Sequence, residues 1–589
     1  MRSTETADLL RLAKSFYRSN LYVTEKQKSV AFFSGATVDT IVPVFELLSW
    51  ARGLPTKIYK PDYGSYQQEI LNPISNLYKS KIDIACFFMT PRDFNLKLPL
   101  GTNETQAEEY VARIVQQHID LAKMIKKQLN VAVTLNTLPH MPLRPHGNFE
   151  AYLPGSSSSL INRFNQLLIQ KAPKGISIFD LNFESQKYGL NQFWDDRFWF
   201  HSKQPIALGI LGRVMHSYTA FVAAQFGIAK KVLVLDLDHT LWGGVIGDDG
   251  LEGIKLGEGD AEGEAYKEFQ QYCLELKNRG VLLAISSKNE ENNGLLPFEK
   301  HPESILKKND FVTWRINWSP KGENIKEMAN ELSLGLEHFV FFDDNPAERE
   351  NVRQLAPQVT VVEVPTDPTL YRKTLDDGHF FETTSISQED LERSNMYQQN
   401  VARDRLSQSV TNIDDFLKSL EMKAVIQKFE PVSLPRVTQL INKTNQFNLT
   451  TKRYTLVETE EIMKNPKAIA LSVRLADRFG DNGLISVFIG LMDEMTLNID
   501  TWLMSCRVLK RQMEETLFDF VVNVAKSNNI QKIIGTYIPT EKNGLVKEHY
   551  SGLGFKLLKT DGKKQIYEYD IKSHVTKTHH IQIVETLEK

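Results

Sequence analysis

The stretch KVLVLDLDHTLWGG, residues 231–244, constrains the fold of this chain more than any other segment. Its apolar run contains no turn residue, is typical of a buried parallel strand, and ends in two acids, Asp236 and Asp238. In open α/β sheets, ligands bind beyond the carboxyl ends of the strands. A spacing of two places both carboxylates on one side of an extended segment, where a divalent cation offsets their repulsion. The segment therefore predicts an α/β domain with an Mg²⁺ site.

Length and composition limit the classes of protein to consider. A chain of 589 residues exceeds what one hydrophobic core organises and predicts about three or four domains. With 24% charged residues and a net charge of −3, it lacks the basic excess of a nucleic-acid binder. The N-terminus has no apolar signal-peptide core, and no apolar run reaches about 18 residues. We expect a cytoplasmic protein with neither nucleic acid nor membrane as a partner.

The pattern of strands and helices divides the chain into five segments. Short apolar runs alternate with helical stretches over residues 1–225 and again over residues 226–365, which predicts a parallel sheet in each. Residues 366–422 are charged and helical and predict a connector. Strands around two helices over residues 423–575 predict a mixed α+β domain, and residues 576–589 are a tail. The expected fold class is α/β with a C-terminal α+β domain.

Polar residues follow the strands of the second segment in a set suited to phosphate chemistry. Phosphoryl transfer to a carboxylate needs a nucleophile, a proton donor, cations around the phosphate and a metal ion. The residues that supply these groups are Asp236, Asp238, Thr240, Ser286, Ser287, Lys321, Asp343 and Asp344. Acids at strand ends also cap helices, so one pair of aspartates alone would fit a structural role equally well.

These residues resemble, in order, the four motifs of the haloacid dehalogenase superfamily, with DLDHT in place of its DxDxT. The resemblance implies a doubly wound parallel sheet without a large cap, with Asp236 as the nucleophile that forms an aspartyl phosphate and Asp238 as the general acid and base. The residues that it assigns to phosphate are Thr240, Ser287 and Lys321, and those that it assigns to Mg²⁺ are Asp236, the backbone carbonyl of Asp238, Asp343 and Asp344. Since the strand end is not fixed by sequence, Ser286 remains an alternative to Ser287.

Further segments resemble a narrower branch, the FkbH-like or HAD-IIIC family. They are LWGGVIGDDGLEGIKLG (241–257), FVFFDDNPAERE (339–350), INKTNQFNLTTKRY (441–454), DRFGDNGLISV (477–487) and SCRVLKRQMEE (505–515). The resemblance implies a bifunctional glyceryl transferase/phosphatase that takes D-1,3-bisphosphoglycerate, removes phosphate and loads glyceryl onto an acyl carrier protein for polyketide assembly. His239 stands where that family usually has Asn. Either the substrate preference is altered there or one hydrogen-bonding residue replaces another.

Three cysteines are too few and too scattered for a disulfide framework or a zinc site. Cys86 lies inside an apolar strand and Cys273 on the apolar face of a helix, which is typical of buried thiols. Cys506 ends an apolar strand before a helix of about residues 512–527, where nearby cations would stabilise a thiolate. Those cations are Arg507, Lys510 and Arg511. We predict that Cys506 is the acyl nucleophile; a packed strand thiol beside a solvated helix start is the alternative.

The C-terminal segment resembles the GNAT acyltransferases in its strand, basic loop, helix and strand, followed by Asn543, Tyr550 and GLGF. The resemblance implies a groove beside a splayed strand for a phosphopantetheine arm, with Arg507, Lys510 or Arg511 pairing with its phosphate. Asn543 and Tyr550 are further predicted contacts of the pantetheine or substrate. Its VLKRQ loop departs from the family's glycine-rich loop, which puts acetyl-CoA in doubt. Asp477 and Arg478 of DRFGDNG are predicted substrate contacts, with a plain hairpin as the alternative.

The first segment faintly resembles the SGNH hydrolases through Ser34, Asp196 and His201. The usual GDS is absent and the acid and histidine are five apart rather than three, so we expect a docking or gating role without hydrolysis. Two other functions stay open. One is a plain Mg²⁺ phosphatase with carrier-binding flanking domains, and the other is an N-acyltransferase in capsule or surface-sugar biosynthesis.

Overall fold

The computed structural model describes residues 5–19, 27–173, 175–384, 386, 388–409, 412–444, 447–454, 456–505, 508–509, 511–540 and 543–585. The chain forms two compact units. One contains Met1–Lys326 and Gly335–Leu391, and the other contains Glu327–Leu334 and Glu392–Lys589. The first unit holds two parallel sheets and the second holds one mixed sheet.

The first sheet has five parallel strands in the order β2-β1-β3-β4-β5. Their bounds are β1 Lys28–Phe33, β2 Thr56–Tyr59, β3 Ile84–Phe87, β4 Ala132–Asn136 and β5 Ile176–Phe179. The helices are α1 Thr6–Tyr17, α2 Ile41–Ala51, α3 Tyr66–Leu71, α4 Asn76–Lys79, α5 Glu104–Leu129, α6 Ser157–Lys171, α7 Leu181–Tyr188, α8 Leu190–Phe193, α9 Asp196–Ser202 and α10 Leu208–Gln225.

Helices cover both faces of this sheet, so the side chains that alternate along its strands are buried on opposite sides. Phe32 of β1 packs in a cluster with residues of α2 and α10, whereas its neighbour Phe33 packs in a second cluster with residues of α5 and α6. The long helix α5 begins at a capping box in which Asn103 and Gln106 each bond the other's backbone N–H. The first segment is therefore a doubly wound α/β domain.

The second sheet also has five parallel strands, in the order β10-β9-β6-β7-β8. Their bounds are β6 Val232–Leu235, β7 Leu282–Ser287, β8 Phe311–Ile316, β9 Phe339–Phe342 and β10 Thr360–Val361. The accompanying helices are α11 Ile246–Gly253, α12 Ala261–Asn278, α13 Glu291–Lys300, α14 Lys321–Glu331, α15 Pro346–Leu355 and α16 Tyr371–Asp377. The predicted α/β class with parallel sheets is confirmed.

The second unit is built on an eight-stranded sheet in the order β16-β17-β15-β14-β13-β12-β11-β18. The strands are β11 Met422–Lys428, β12 Ala468–Asp477, β13 Gly480–Asp493, β14 Thr496–Met504, β15 Lys532–Tyr537, β16 Lys556–Asp561, β17 Lys564–Asp570 and β18 Ile581–Ile583. The helices are α17 Gln388–Ser409, α18 Ile413–Ser419, α19 Leu434–Lys443, α20 Leu456–Lys464, α21 Met513–Ser527 and α22 His549–Gly552. Strands β11 to β14 are antiparallel, and β14 pairs with β15 in parallel.

The pairing of β14 with β15 is confined to the first residues of the two strands, 496–498 with 532–534. Beyond that point a backbone segment, residues 447–449, lies between them. The Leu449 N–H donates to the Trp502 carbonyl at 3.2 Å, and the Ile538 N–H donates to the Leu449 carbonyl at 2.9 Å. The Met504 N–H of β14 also donates to the Phe447 carbonyl, at 3.1 Å, so the segment bonds β14 on one side and Ile538, just after β15, on the other. The two strands therefore splay apart, and segment 447–449 spans the gap.

Across the part of the chain that the structure describes, none of the helices combines the length and the apolar character needed to cross a membrane.

A buried acid lies between two helices of the first unit. Glu184 of α7 accepts a 2.8 Å hydrogen bond from the Ser217 hydroxyl of α10 through Oε1. Its Oε2 is buried without a hydrogen-bond partner among the described residues. Burial raises the pKa of Glu184 from 4.5 to about 7, against the opposing effects of Ser217 and Lys187. The folded protein therefore holds this proton more tightly than the unfolded chain does.

We expect Glu184→Gln to stabilise the first unit at pH 8 by about 2 kcal/mol. The wild type loses stability as the pH rises from 4.5 to about 7, because ionising the buried carboxyl is costly, whereas the amide stays neutral. Thermal unfolding at pH 5 and pH 8 measures the effect, with the exposed Glu109→Gln as the control. A gain that is equal at both pH values would contradict this account.

Candidate active site

The carboxyl ends of three neighbouring strands bring the predicted phosphate-site residues together. Strand β6 lies between β9 and β7, and all three are parallel. Asp236 follows β6, Ser287 ends β7, and Asp343 follows β9. Because the carboxyl ends of parallel strands meet at one edge of the sheet, these side chains share one site. Lys321, the first residue of α14, completes the set.

Lys321 joins two of the carboxylates. Its Nζ lies 2.8 Å from Asp236 Oδ1 and 2.7 Å from Asp343 Oδ2, and all three side chains are buried. Burial alone would lower the pKa of Lys321, but the two carboxylates outweigh burial and raise it above its ordinary value. Burial, together with repulsion from Asp236, raises the pKa of Asp343 to about 7. The site is thus crowded with negative charge that one ammonium group does not offset.

The residues fit a divalent cation. Carboxylate oxygens of Asp236, Asp343 and Asp344 all lie within 4.8 Å of one another. Burial, and then the charge of Asp236, raise the pKa of Asp344. Three carboxylates against one ammonium leave two formal negative charges in excess, and oxygen ligands suit Mg²⁺. The donor set and its charge therefore match the Mg²⁺ site that the sequence predicts.

Thr240, the last residue of the DLDHT motif, is fully buried and contacts Asp344. Its hydroxyl lies 3.4 Å from both the Oδ1 and the backbone N of Asp344, within donating distance of the former and accepting distance of the latter. Ser286 and Ser287 are both buried at the end of β7. The Ser287 carbonyl accepts from the Asn317 N–H at 3.0 Å, and Ser286 Oγ has no hydrogen-bond partner within the described residues. Both serines therefore remain candidates for binding phosphate.

Asp238 is held by three donors. Its Oδ1 accepts from the Trp242 indole N–H at 2.9 Å and from the Ile246 backbone N–H at 3.0 Å. Its Oδ2 accepts from the Asn289 amide at 3.0 Å. Burial raises the pKa of Asp238 and the charge of Asp236 adds to the effect, while the hydrogen bonds from Ile246 and Trp242 oppose it. A carboxyl with a raised pKa beside the Asp236 carboxylate suits a general acid.

His239 has a left-handed backbone, with φ of 54°. Its carbonyl accepts from the hydroxyls of Tyr266 at 3.3 Å and Tyr371 at 3.1 Å, and its Nδ1 accepts from the Gly244 N–H at 3.4 Å. Among residues other than glycine, Asn, Asp and His adopt this conformation most readily. The backbone therefore explains why His can replace the Asn of the resembling family, and the exposed imidazole makes only a local contact.

Three residues of the site were missed by sequence reasoning. Trp242 and Asn289 bond the Asp238 carboxylate, and Arg349 Nη1 donates to the Asp343 carbonyl at 2.9 Å and the Asp344 carbonyl at 2.7 Å. Trp242 belongs to the WGG run, and Asn289 comes two residues after Ser287. Their closeness in sequence to predicted site residues could therefore have indicated both. Arg349, on α15, belongs to the FVFFDDNPAERE segment and comes five residues after Asp344, so its position offered a similar signal.

In the second unit, the predicted nucleophile Cys506 and the neighbouring Arg507 and Lys510 lie outside the described residues. Asp477 is fully buried in an ion-pair network. Arg403 contacts both of its carboxylate oxygens at 2.7 Å, and Arg511 Nη1 contacts Oδ2 at 3.3 Å. The adjacent Arg478 guanidinium stacks on Phe479 at 4.9 Å. Asp477 and Arg511 thus lie in contact with each other, and the Asp477 carboxylate is engaged in ion pairs.

Asn543 holds the segment in the strand gap rather than facing an open groove. Its amide donates to the Asn448 carbonyl at 3.0 Å and the Ile538 carbonyl at 2.9 Å, and its oxygen accepts from the Thr540 N–H at 2.7 Å. Asn543 is 0% exposed. Tyr550 is likewise buried, and its ring lies 5.0 Å from that of Phe555. Both residues, as placed here, support the domain core.

The remaining predicted residues are dispersed. In the first domain, buried Ser34 accepts from the Ala36 N–H at 3.2 Å, Asp196 forms an ion pair with Arg92, and His201 is exposed. Among the described residues, no hydrogen bond links Ser34, Asp196 and His201 to one another. Both described cysteines, Cys86 and Cys273, are buried, and burial raises the pKa of the Cys86 thiol to about 11.

Comparison with solved structures places a phosphatase-domain protein among the similar chains. The chain is 29% identical to the N-terminal part of the protein BF1531 from Bacteroides fragilis, which contains a phosphatase domain and was crystallised with Mg. The similarity covers 64% of this chain and 99% of that one, with a TM-score of 0.57. No model of a protein family and no curated protein matches the chain.

Acetyltransferases also resemble a smaller part of the chain. The ribosomal-protein-S18-alanine N-acetyltransferase from Escherichia coli is 11% identical over 26% of this chain and 99% of its own, with a TM-score of 0.21. The PaiA N-acetyltransferase from Thermoplasma acidophilum, solved with coenzyme A, is 16% identical over 25% of this chain and 99% of its own, with a TM-score of 0.19.

We expect Asp344→Asn to lower the affinity for Mg²⁺ at least about tenfold, because one charged oxygen donor is lost from the carboxylate cluster. Isothermal titration calorimetry with MgCl₂ measures the affinity, and Mg²⁺ should raise the unfolding temperature of the wild type more than that of the variant. Asp248→Asn, an exposed acid on α11, is the matched control. Equal affinity of Asp344→Asn and the wild type would rule out Asp344 as a ligand.

Proposed function

We propose that this chain is an Mg²⁺-dependent phosphatase of the haloacid dehalogenase type. The observation that carries the proposal is the cluster of Asp236, Asp343 and Asp344 around Lys321, with Asp238 held beside it at the carboxyl edge of a parallel sheet. The 29% identity to a phosphatase-domain protein crystallised with Mg supports the same chemistry.

In the first half of the proposed reaction, a carboxylate oxygen of Asp236 attacks the phosphorus of a phosphate ester. The new O–P bond makes an aspartyl phosphate as the bond between phosphorus and the leaving oxygen breaks. Asp238 gives its proton to the leaving oxygen, which departs as an alcohol. Lys321, paired with Asp236 in the resting site, supplies positive charge beside the transferred phosphoryl group.

In the second half, Asp238, now a carboxylate, accepts a proton from water as the water oxygen attacks phosphorus. The O–P bond to Asp236 breaks, which releases inorganic phosphate and restores both aspartates. The residues that would hold Mg²⁺ are Asp236, Asp343 and Asp344, with the Asp238 carbonyl added by the family resemblance. When bound, Mg²⁺ supplies a Lewis acid that offsets charge on the phosphate oxygens.

The transferase half of the proposal comes from the sequence. In the FkbH-like reaction, the Cys506 thiolate attacks the acyl carbon of D-1,3-bisphosphoglycerate, a C–S bond forms, and the C–O bond to phosphate breaks. The thiol of an acyl carrier protein then takes the glyceryl group from Cys506. Removal of the 3-phosphate falls to Asp236, before or after that transfer. In this scheme the second sheet is HAD-like, the first is SGNH-like without hydrolysis, and the eight-stranded sheet is GNAT-like.

The strand gap bears on which acyl donor the second unit uses. The acyltransferase resemblance implies a pantetheine group between splayed strands, but residues 447–449 occupy the gap between β14 and β15. Coenzyme A bound there would have to displace backbone that is hydrogen-bonded to both sides. The phosphopantetheine arm of a carrier protein would have to displace the same backbone. We therefore favour an acyl phosphate as the donor that acylates Cys506, with no pantetheine group seated in the gap. Measured binding of acetyl-CoA would instead favour the N-acyltransferase function.

We expect Asp236→Asn to lower the kcat for phosphate release at least about a thousandfold, since the amide is a poor nucleophile. The test substrates are p-nitrophenyl phosphate and 3-phosphoglycerate, with Mg²⁺ present. Acid-quenched wild type should carry a phosphate-mass adduct on the peptide that contains Asp236, and the variant should not. Asp248→Asn serves as the active control, and retained turnover in Asp236→Asn would refute the nucleophile assignment.

We expect wild type mixed with 1,3-bisphosphoglycerate to gain a glyceryl or phosphoglyceryl mass on Cys506, and Cys506→Ala to gain none. Asp236→Asn should still be loaded, because the two chemistries use different residues. Intact-mass and peptide mass spectrometry measure loading, and Cys86→Ala is the control for a buried thiol. Phosphate release without any adduct on Cys506 would leave the plain phosphatase as the function.

A further inference from the structure

The segment after the nucleophile motif returns to the general acid. Residues 241–257 include the WGG run, which the phosphatase mechanism does not use directly. Four and eight residues after Asp238, the Trp242 indole and the Ile246 backbone both donate to Asp238 Oδ1, at 2.9 Å and 3.0 Å. A carboxylate oxygen accepts along two lone-pair directions. Both directions of Oδ1 are therefore engaged.

Packing fixes the Trp242 indole in this role. The side chain is 0% exposed, and its ring meets that of Phe298 edge-on at a centroid distance of 5.6 Å. Buried indole N–H groups require an acceptor, and Asp238 provides it. The indole and the carboxylate therefore orient each other.

Two glycines bring the chain back to Asp238. Gly243 exchanges both backbone hydrogen bonds with Lys255, at 3.0 Å and 2.9 Å, and any Cβ on Gly243 would lie only 3.0 Å from the Tyr266 ring. Gly244 has φ of 91°, and the Val245 N–H that follows donates to Asp249 Oδ2 at 2.7 Å. This left-handed step turns the chain so that the N–H of Ile246 reaches Asp238.

The second oxygen of Asp238 is bound differently. Its partner among the described residues is the Asn289 amide N–H, at 3.0 Å. The orientation of that amide is set because its oxygen accepts from the Glu290 N–H at 3.0 Å. Asn289 is buried and comes two residues after the end of β7. One lone-pair direction of Asp238 Oδ2 is left over, whereas none is left on Oδ1.

We propose that Trp242 and Asn289 are positioning residues that place the transferable proton of Asp238 on Oδ2 and aim it at the leaving oxygen. The inference rests on the proposed phosphatase function and extends it. Trp242 and the Ile246 N–H keep Oδ1 an acceptor only, and Asn289 fixes the direction of Oδ2. The WGG run is the local structure that builds this arrangement.

The dependence on the leaving group tests the role. Loss of proton donation slows hydrolysis of esters with basic leaving groups, such as glycerol 3-phosphate, far more than that of p-nitrophenyl phosphate, whose leaving group needs no proton. In Asn289→Ala and Trp242→Phe, we expect kcat/KM for glycerol 3-phosphate to fall about 10- to 100-fold. The kcat/KM for p-nitrophenyl phosphate should fall less than about threefold, because this parameter covers only the steps up to departure of the leaving group and excludes the later attack of water, in which Asp238 acts as the base for both substrates.

Trp314→Phe, which removes an indole N–H elsewhere in the same domain, is the control, and unfolding temperatures verify folding. Equal losses of kcat/KM on both substrates would show that the residues only support the structure, and unchanged kcat/KM on both would show that they do not act on Asp238. Either result overturns the inference. Wild type that hydrolyses neither substrate would overturn the proposed function itself, and the inference with it. Because the two variants act on different oxygens, Asn289→Ala decides the matter even where Trp242→Phe fails to fold.

Discussion

The ammonium group of Lys321 lies between two buried carboxylates, and the chemistry of the second sheet depends on that contact. Asp236 and Asp343 end adjacent strands, so the parallel topology forces them together at one edge. Without a cation, two buried carboxylates repel and take up protons, as the raised pKa of Asp343 shows. Lys321 offsets part of this repulsion and leaves an excess of negative charge that suits a divalent cation. The arrangement is unfavourable for folding alone, which is typical of functional sites.

The sequence was sufficient to place these residues because each follows a short apolar run, and the ends of such runs share an edge in a parallel sheet. It could not supply the contacts made by Asn289 and Arg349, since individual hydrogen bonds from side chains leave no periodic pattern. Nor could it choose between Ser286 and Ser287, because both are buried at the strand end. The parallel α/β domains were therefore predictable from the apolar pattern of the sequence. The hydrogen bonds that hold the aspartates in place are seen only in the folded structure.

The second unit shows a different limit of sequence reasoning. The apolar patterns predicted its strands as a mixed α+β domain, whereas the strand order and the short parallel pairing of β14 with β15 are seen only in the structure. The pattern did not indicate that residues 447–449 would fill the gap, because a three-residue segment carries no periodicity. Asn543, predicted to contact substrate, bonds the Asn448 carbonyl and keeps that segment in place. A buried asparagine that satisfies three backbone groups stabilises the fold, since each unpaired group would cost about 1–3 kcal/mol.

His239 illustrates how backbone geometry, rather than reactivity, can decide which residue occupies a motif. The chain must turn between Asp238 and Thr240 so that one carboxyl faces the site and the hydroxyl reaches Asp344. That turn requires φ of 54°, and two tyrosine hydroxyls hold the His239 carbonyl in it. Asn and His adopt this conformation more readily than β-branched residues do. Histidine at position 239 thus fits the turn on which the placement of Asp238 depends, and the left-handed turn at Gly244 then returns the chain to the same carboxylate.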